Sequence, residues 1–198
     1  RANPPGLDAL RALGLPLGGT FGAFDLRLLD ACDRVVLSPG VSRREPLVQQ
    51  ALARGLEVVG DVELFARVVR APVVGITGTN GKSTVTTLVA GMAQRAGRAV
   101  LAGGNLGEPA LELLERPVPE LYVLELSSYQ LESTDSLELA AAAVLNLTPD
   151  HLDRYGTMAD YGAAKARIYA HAGVAVVNAD DDHVRPMPAR YARERVVA

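Results

Sequence analysis

The sequence predicts an α/β protein with a mostly parallel sheet, and three observations carry that reading. Short apolar runs alternate with helix-periodic stretches along the chain. Glycine or proline stands at the joins, as at Gly55, Pro72, Gly97 and Gly173. A glycine-rich loop links one β-rich run to an amphipathic stretch, the strand–loop–helix order of a phosphate site.

Taken in order, Arg1 to Gly6 reads as a loop. Residues 34–38 read as a strand ending at Ser38-Pro39-Gly40, and 45–54 as a helix with Gly55 placed to end it. Val58-Val59 marks a short strand, and 61–70 a helix with Asp61 near its start. Pro72 breaks the pattern, so a domain boundary is expected near Ala71-Pro72. Residues 73–77 form a strand that enters the glycine-rich loop. The following helix places Val85, Leu88, Val89, Met92 and Ala96 on one stripe, and Gly97 stops it. Further strands are expected at 99–102, 121–126, 141–147 and 174–178, and a helix at 158–171. Repeats and low-complexity tracts are absent.

Composition excludes several function classes. Apolar residues make up 48% of the 198 and charged ones 22%, as in soluble globular proteins. A net charge of −3 argues against a nucleic-acid surface. No apolar run is long enough to cross a bilayer. The single cysteine, Cys32, rules out an intramolecular disulfide, fits a reducing cytosol and reads as a small buried hydrophobe. A cytoplasmic location is therefore expected. The opening loop, starting at Arg1 instead of a methionine, makes the chain read as part of a longer protein.

The richest stretch is Thr77-Gly78-Thr79-Asn80-Gly81-Lys82-Ser83-Thr84. Its glycines let backbone N–H groups approach phosphate oxygens, and the helix start adds a favourable dipole. Lys82 can reach the β and γ phosphates, and the Ser83 hydroxyl can ligate Mg²⁺. The generic P-loop pattern asks for glycine at 76, where Ile76 stands, with Gly75 one position early.

Ligands of open α/β sheets bind beyond the carboxyl ends of the strands. Glu125 lies at one such end, and a carboxylate in so apolar a strand needs a partner: a metal ion or a structural ion pair. Another strand runs out at Asn146 and the loop to Asp153, where His151 is either a metal ligand or a polar surface group. His171 and His183 lack such context, and Asp180-Asp181-Asp182 reads as a solvated turn. Lys165 shares a helical stripe with Tyr161, Ala164, Ile168 and Tyr169, which places a lysine toward the core. Burial would lower its pKa, and a neutral amine can take up CO₂ as a metal-binding carbamate; a snorkelling lysine is the alternative.

These residues resemble the Mur ligase family. The variant loop Thr77 to Ser83 carries the resemblance, and Glu125 to Glu132, Ser38 to Val41 and Thr148 to Tyr155 resemble its D-glutamate-adding branch. The resemblance implies a P-loop-type central ATPase domain over 72–198, preceded by part of a smaller Rossmann-like, UDP-substrate-binding domain over 1–71. It implies ATP and Mg²⁺ as cofactors, and D-glutamate and UDP-N-acetylmuramoyl-L-alanine as substrates joined through an acyl phosphate; no nucleic acid, membrane or oligomer is implied. By the same resemblance, Gly78, Thr79, Asn80, Gly81, Lys82, Ser83 and Thr84 hold ATP. Ser83, Glu125, His151 and Lys165 hold metal, with Lys165 carbamylated, and Lys82, His151 and Lys165 are catalytic. Asn105, Ser127 and Arg1 contact substrate, and Asp150 lies close to substrate or metal. The family's first strand and glycine loop are expected before Arg1 and its third domain after Ala198.

Three other readings compete. A sister ligase, such as a folylpolyglutamate or diaminopimelate-adding enzyme, shares the phosphate loop, but Ser127 to Leu131 and Ser38 to Gly40 favour D-glutamate addition. A nucleotide-binding module without chemistry is the second. A generic P-loop kinase or GTPase is disfavoured by the misplaced first glycine.

Overall fold

The computed structural model describes residues 7–14, 23–191 and 196–198, the side chains of residues 9 and 10 aside. The chain divides into two compact units: Arg1–Val36 with Arg43–Val58, and Leu37–Ser42 with Val59–Ala198.

The smaller unit holds helix α1 (Leu7–Ala12), a 3-10 turn over Leu26–Ala31, most of strand β1 (Arg34–Leu37), and helix α2 (Pro46–Ala53). Pro46 opens α2, where its missing N–H costs no hydrogen bond, and Val48 and Ala51 form the buried face. An Arg54–Asp30 ion pair of 2.7 Å closes its surface, and Arg34 pairs with Glu57. Cys32 is half-buried and free. Strand β1 pairs with β2 (Glu57–Gly60) in a two-stranded sheet.

The larger unit begins with α3 (Asp61–Ala66), shorter than the expected 61–70 because Arg67 caps it. Then follow β3 (Val73–Thr77), α4 (Lys82–Arg95), β4 (Val100–Gly104), β5 (Leu121–Glu125), α5 (Ser128–Glu132), β6 (Ala141–Val144), α6 (Leu152–Tyr155), α7 (Met158–Ala166), β7 (Ala175–Val177) and β8 (Val196–Val197). Strands β3 to β8 form one sheet in the order β4-β5-β3-β6-β7-β8, every pairing parallel. Helix α3 packs with α5, so the packing division falls before the expected boundary at Ala71-Pro72.

The two faces of β3 and β5 alternate, as strand geometry requires. Val73, Tyr122 and Leu124 face a large core with Tyr161, Ile168 and Tyr169, while Ile76 and Val123 face Ala90 of α4. Gly75 lets the core close over the strand there: a Cβ would stand 2.8 Å from a Leu139 methyl, which would have to shift. Helix α4 corrects the sequence reading. Leu88 and Met92 are 57% and 61% exposed, and the buried positions are Thr86 and Ala90, flanked by partly buried Val85 and Val89. Small residues at 86 and 90 let the helix lie close on the sheet, which turns the larger ones outward. The helix expected over 158–171 ends at Ala166 and continues as a 3-10 turn over Arg167–Tyr169, and its stripe is buried as expected: Tyr161, Ala164, Lys165, Ile168 and Tyr169. Among the described residues no helix is long and apolar enough to cross a membrane.

Candidate functional site

The carboxyl ends of β3, β5 and β6 bring the candidate residues together. β3 ends at Thr77, and the chain turns through Gly78 (φ 153°) and Gly81 (φ 78°) into α4. Side chains disfavour such positive φ, and a Cβ on Gly78 would stand 3.0 Å from Leu145 Cβ, so glycine is required at 78. The helix starts at Lys82, and Val85 is the first residue to bond back, to Gly81 O at 3.0 Å. Its first-turn amides therefore lack carbonyl partners within the helix, as at every helix start.

The loop is held from the far end of β6. Asn146 Oδ1 accepts from the N–H of Thr79 (3.1 Å) and of Asn80 (2.9 Å), and Asn146 Nδ2 donates to Asn80 O (3.0 Å). The Thr79 hydroxyl accepts from Thr148 N (3.1 Å), and Asn80 Nδ2 donates to Thr148 Oγ1 (3.3 Å). This is why β6 stops at Val144, short of the expected 147: the backbone leaves the sheet to meet the loop.

Glu125 ends β5 with only 2% of its surface exposed. Its Oε2 accepts from Ser83 Oγ at 2.8 Å and its Oε1 from Asn105 Nδ2 at 2.7 Å. Asn105 is pinned as well, because its N–H donates to Glu125 O at 2.8 Å. Among the described residues Glu125 forms no ion pair of 4 Å or less.

Two amines meet at one carbonyl. Lys165 Nζ donates to Gly78 O at 2.8 Å, and Lys82 Nζ donates to the same oxygen at 3.0 Å and to Thr79 O at 2.9 Å. Lys165 is 2% exposed, and its Nζ stands 4.7 Å from the centre of the Tyr161 ring. Burial, reinforced by the charge of Lys82, lowers its pKa to about 7 against the opposing pull of Asp150 and Glu125.

His151 sits in a left-handed turn (φ 52°) ahead of α6, its ring 4.9 Å from that of Tyr129 and 5.9 Å from that of Tyr161. Its Nε2 is 3.5 Å from Asp150 Oδ2. The Arg154 guanidinium lies 4.0 Å over Tyr129, pairs with Glu132 at 2.7 Å, and donates to Pro39 O at 3.2 Å. Ser127 caps α5 in a reciprocal capping box with Gln130. Lys82, Asn105, Ser127, Tyr129, His151 and Lys165 line one cavity of about 270 Å³.

The expected residues thus converge, apart from Arg1, which lies outside the described residues. Gly78 is buried, Thr79 half-buried, and Asn80, Gly81, Ser83 and Thr84 exposed. Sequence reasoning did not single out Asn146, Tyr129 or Arg154; a polar residue directly after an apolar strand was the available signal for Asn146. The Asp180 to Asp182 turn needs correction. Asp181 is half-buried and accepts from Leu147 N at 2.8 Å, from His183 N and from Val184 N, so it braces the end of β6. Among the described residues no three His, Cys, Asp or Glu side chains cluster to hold a metal.

Known proteins agree with this architecture. The Mur ligase middle domain matches residues 76–197, and the MurD-like N-terminal domain of Mur ligases matches residues 1–60. The UDP-N-acetylmuramoylalanine--D-glutamate ligase of Nitrosococcus oceani is 58% identical over 184 residues, covering 93% of this chain and 41% of that protein. The enzyme of the same name from Vibrio parahaemolyticus is 55% identical over 187 residues, covering 94% and 42%. The chain thus spans about two fifths of the length of these curated relatives. Among solved structures, a UDP-N-acetylmuramate:L-alanyl-gamma-D-glutamyl-meso-diaminopimelate ligase from Neisseria meningitides aligns with TM-score 0.60 at 20% identity, covering 99% of this chain and 67% of that one. MurF of Thermotoga maritima in complex with ADP aligns with TM-score 0.57 at 20% identity, covering 85% and 48%. The likeness to these two structures is one of fold. With the middle-domain match spanning more than half of its residues, the chain belongs to the Mur ligase family.

Proposed function

We propose that this chain supplies the ATP-binding region of a cytoplasmic ligase that joins D-glutamate to UDP-N-acetylmuramoyl-L-alanine in peptidoglycan precursor synthesis. The observation that carries the reading is the buried Glu125 carboxylate held against Ser83, the residue after Lys82 in the phosphate loop. In this reading residues 72–198 take ATP, and residues 1–71 belong to the UDP-substrate side. Similarity to the D-glutamate ligases over more than nine-tenths of the chain supports the choice of amino acid.

The chemistry is the one that the family resemblance implies, and the donors present suit it. ATP transfers its γ-phosphoryl group to the substrate carboxylate, and the amine of D-glutamate attacks the acyl phosphate. A tetrahedral intermediate then expels phosphate and leaves an amide. Lys82 and the first-turn amides of α4 offset charge on the phosphates. Ser83 and Glu125 present hard oxygen donors that suit Mg²⁺, which when bound neutralises phosphate charge. Asn105 holds the Glu125 carboxylate in place. Lys165 as an ammonium donates to Gly78 O and offers no lone pair to a metal. Its pKa of about 7 maintains a neutral fraction near physiological pH, and that fraction can take up CO₂, releasing a proton and forming a carbamate that faces the same cavity as His151.

Phosphate release from ATP by the enzyme that carries this chain tests the reading. Release is expected to require both UDP-N-acetylmuramoyl-L-alanine and D-glutamate. Release supported by diaminopimelate or a folate in place of D-glutamate would overturn it in favour of a sister ligase.

A further inference from the structure

We infer that Asn146 is a positioning residue that shapes the phosphate loop and divides its amides into two sets. The N–H groups of Thr79 and Asn80 are structural, and those of Gly81 to Thr84 serve the phosphates. The inference rests on the ATP-site reading above and adds a role to a residue outside the glycine-rich loop.

The geometry is specific to an asparagine amide. Its oxygen takes two N–H groups and its nitrogen gives one hydrogen to a carbonyl, so a single orientation satisfies all three bonds. The backbone of Asn146 repeats the hold, since its carbonyl also accepts from Thr79 N at 3.1 Å. An aspartate would keep the two acceptor bonds and set an oxygen against Asn80 O. An alanine would free the Asn80 N–H and leave the Thr79 N–H only the backbone carbonyl of residue 146.

A Walker-type loop binds phosphate by pointing successive amides into one concavity. Here two of those amides point away, toward the end of β6. The remaining ones open the helix, where Gly81, Ser83 and Thr84 are exposed and Lys82 half-buried. The hold also sets the carbonyls: with Asn80 O turned to Asn146, Gly78 O and Thr79 O face the amines of Lys82 and Lys165. Losing Asn146 therefore loosens the loop and both lysines, while the acceptor side of the cavity keeps its residues.

The test uses Asn146→Ala and Asn146→Asp in the enzyme that carries this chain, with a non-hydrolysable ATP analogue. Asn146→Ala is expected to raise the Kd of the analogue about tenfold, as for the loss of one to two net hydrogen bonds. The KM values for D-glutamate and the UDP substrate should stay within about twofold of wild type. Amide exchange by NMR should speed up at Asn80, whose N–H depends on the side chain alone, in Asn146→Ala and remain slow in Asn146→Asp. In the wild type the analogue should protect Gly81 to Thr84 without adding protection at Thr79 or Asn80. Unchanged analogue binding by Asn146→Ala, or a common rise in the analogue's Kd and both KM values, would overturn the inference. Should the alanine variant not fold, fast exchange at Thr79 and Asn80 in Asn146→Asp would overturn it alone. A wild-type enzyme that fails to bind the analogue defeats the ATP-site reading instead, and the exchange pattern then decides the role of Asn146.

Discussion

Two glutamates lie equally deep in the larger unit and have opposite surroundings. Glu63 is 3% exposed and Glu125 2%. Glu63 accepts from Asp135 N (2.7 Å), Ser136 N (2.9 Å), Ser136 Oγ (2.8 Å) and Arg67 Nε (2.9 Å). Burial alone would raise its pKa, but these donors outweigh it and bring the value to about 2. Two of its donors are backbone amides and one is a cation, so the carboxylate is committed to joining α3 to the turn before β6. Glu125 accepts from a hydroxyl and a side-chain amide, both neutral. In the proposed reading, a buried carboxylate satisfied only by neutral donors is left to meet a cation, whereas one satisfied by backbone and arginine is a structural tie.

The comparison can be broken most sharply at Glu125. Glu125→Gln is expected to lower turnover about a hundredfold or more, the scale of losing one electrostatic contact at the reacting centre. Its melting temperature should stay near wild type; a large drop would make Glu125 a structural residue like Glu63. Next in size is Lys165→Ala, expected to lose most activity in steady-state assays. Acetate or formate should restore part of it if a carbamate acts there, whereas rescue by a small amine would assign the role to the positive charge. Glu63→Gln should do the reverse of Glu125→Gln: turnover per folded molecule is retained, and stability falls by about 2–3 kcal/mol in urea unfolding. The pH dependence follows in sign. A folded pKa depressed from 4.5 to about 2 gives stability fully present above about pH 4.5 and lost as pH falls toward 2, and Glu63→Gln should flatten that slope. Ser127→Ala is the smallest change, costing about 1 kcal/mol through the capping box. A rise in substrate KM beyond that cost would show that Ser127 also meets the ligand.

Much of this was legible in the sequence because it depended on local rules. The parallel strands showed as apolar runs, the phosphate loop as glycines ahead of a lysine, and Lys165 as a lysine out of place on an apolar stripe. What escaped depended on partners distant in the chain. Nothing near Asn146 announces that its amide meets residues 79 and 80. Asp181 looked solvated because its acceptor role needs Leu147 across the sheet. Leu88 and Met92 were misplaced because periodicity finds an apolar stripe but not the closeness at which Thr86 and Ala90 meet the strands.

The central strand sets an order on assembly. Val73 of β3 pairs with Tyr122 of β5, and Val74 with Ala141 of β6, so both neighbours arrive from later in the chain. Hairpins cannot start such a sheet, and each pairing must first close a long loop at an entropic cost, a topology that folds slowly. β4 and β5 join residues 100 and 121, and β7 and β8 residues 175 and 196, the shorter closures of the sheet. The phosphate loop follows β3 directly, yet its shape is set by Asn146 beyond β6, so it becomes defined only when the sheet is nearly complete. If the proposed ATP site is right, nucleotide binds the finished fold in preference to earlier intermediates, and by mass action it draws folding to completion.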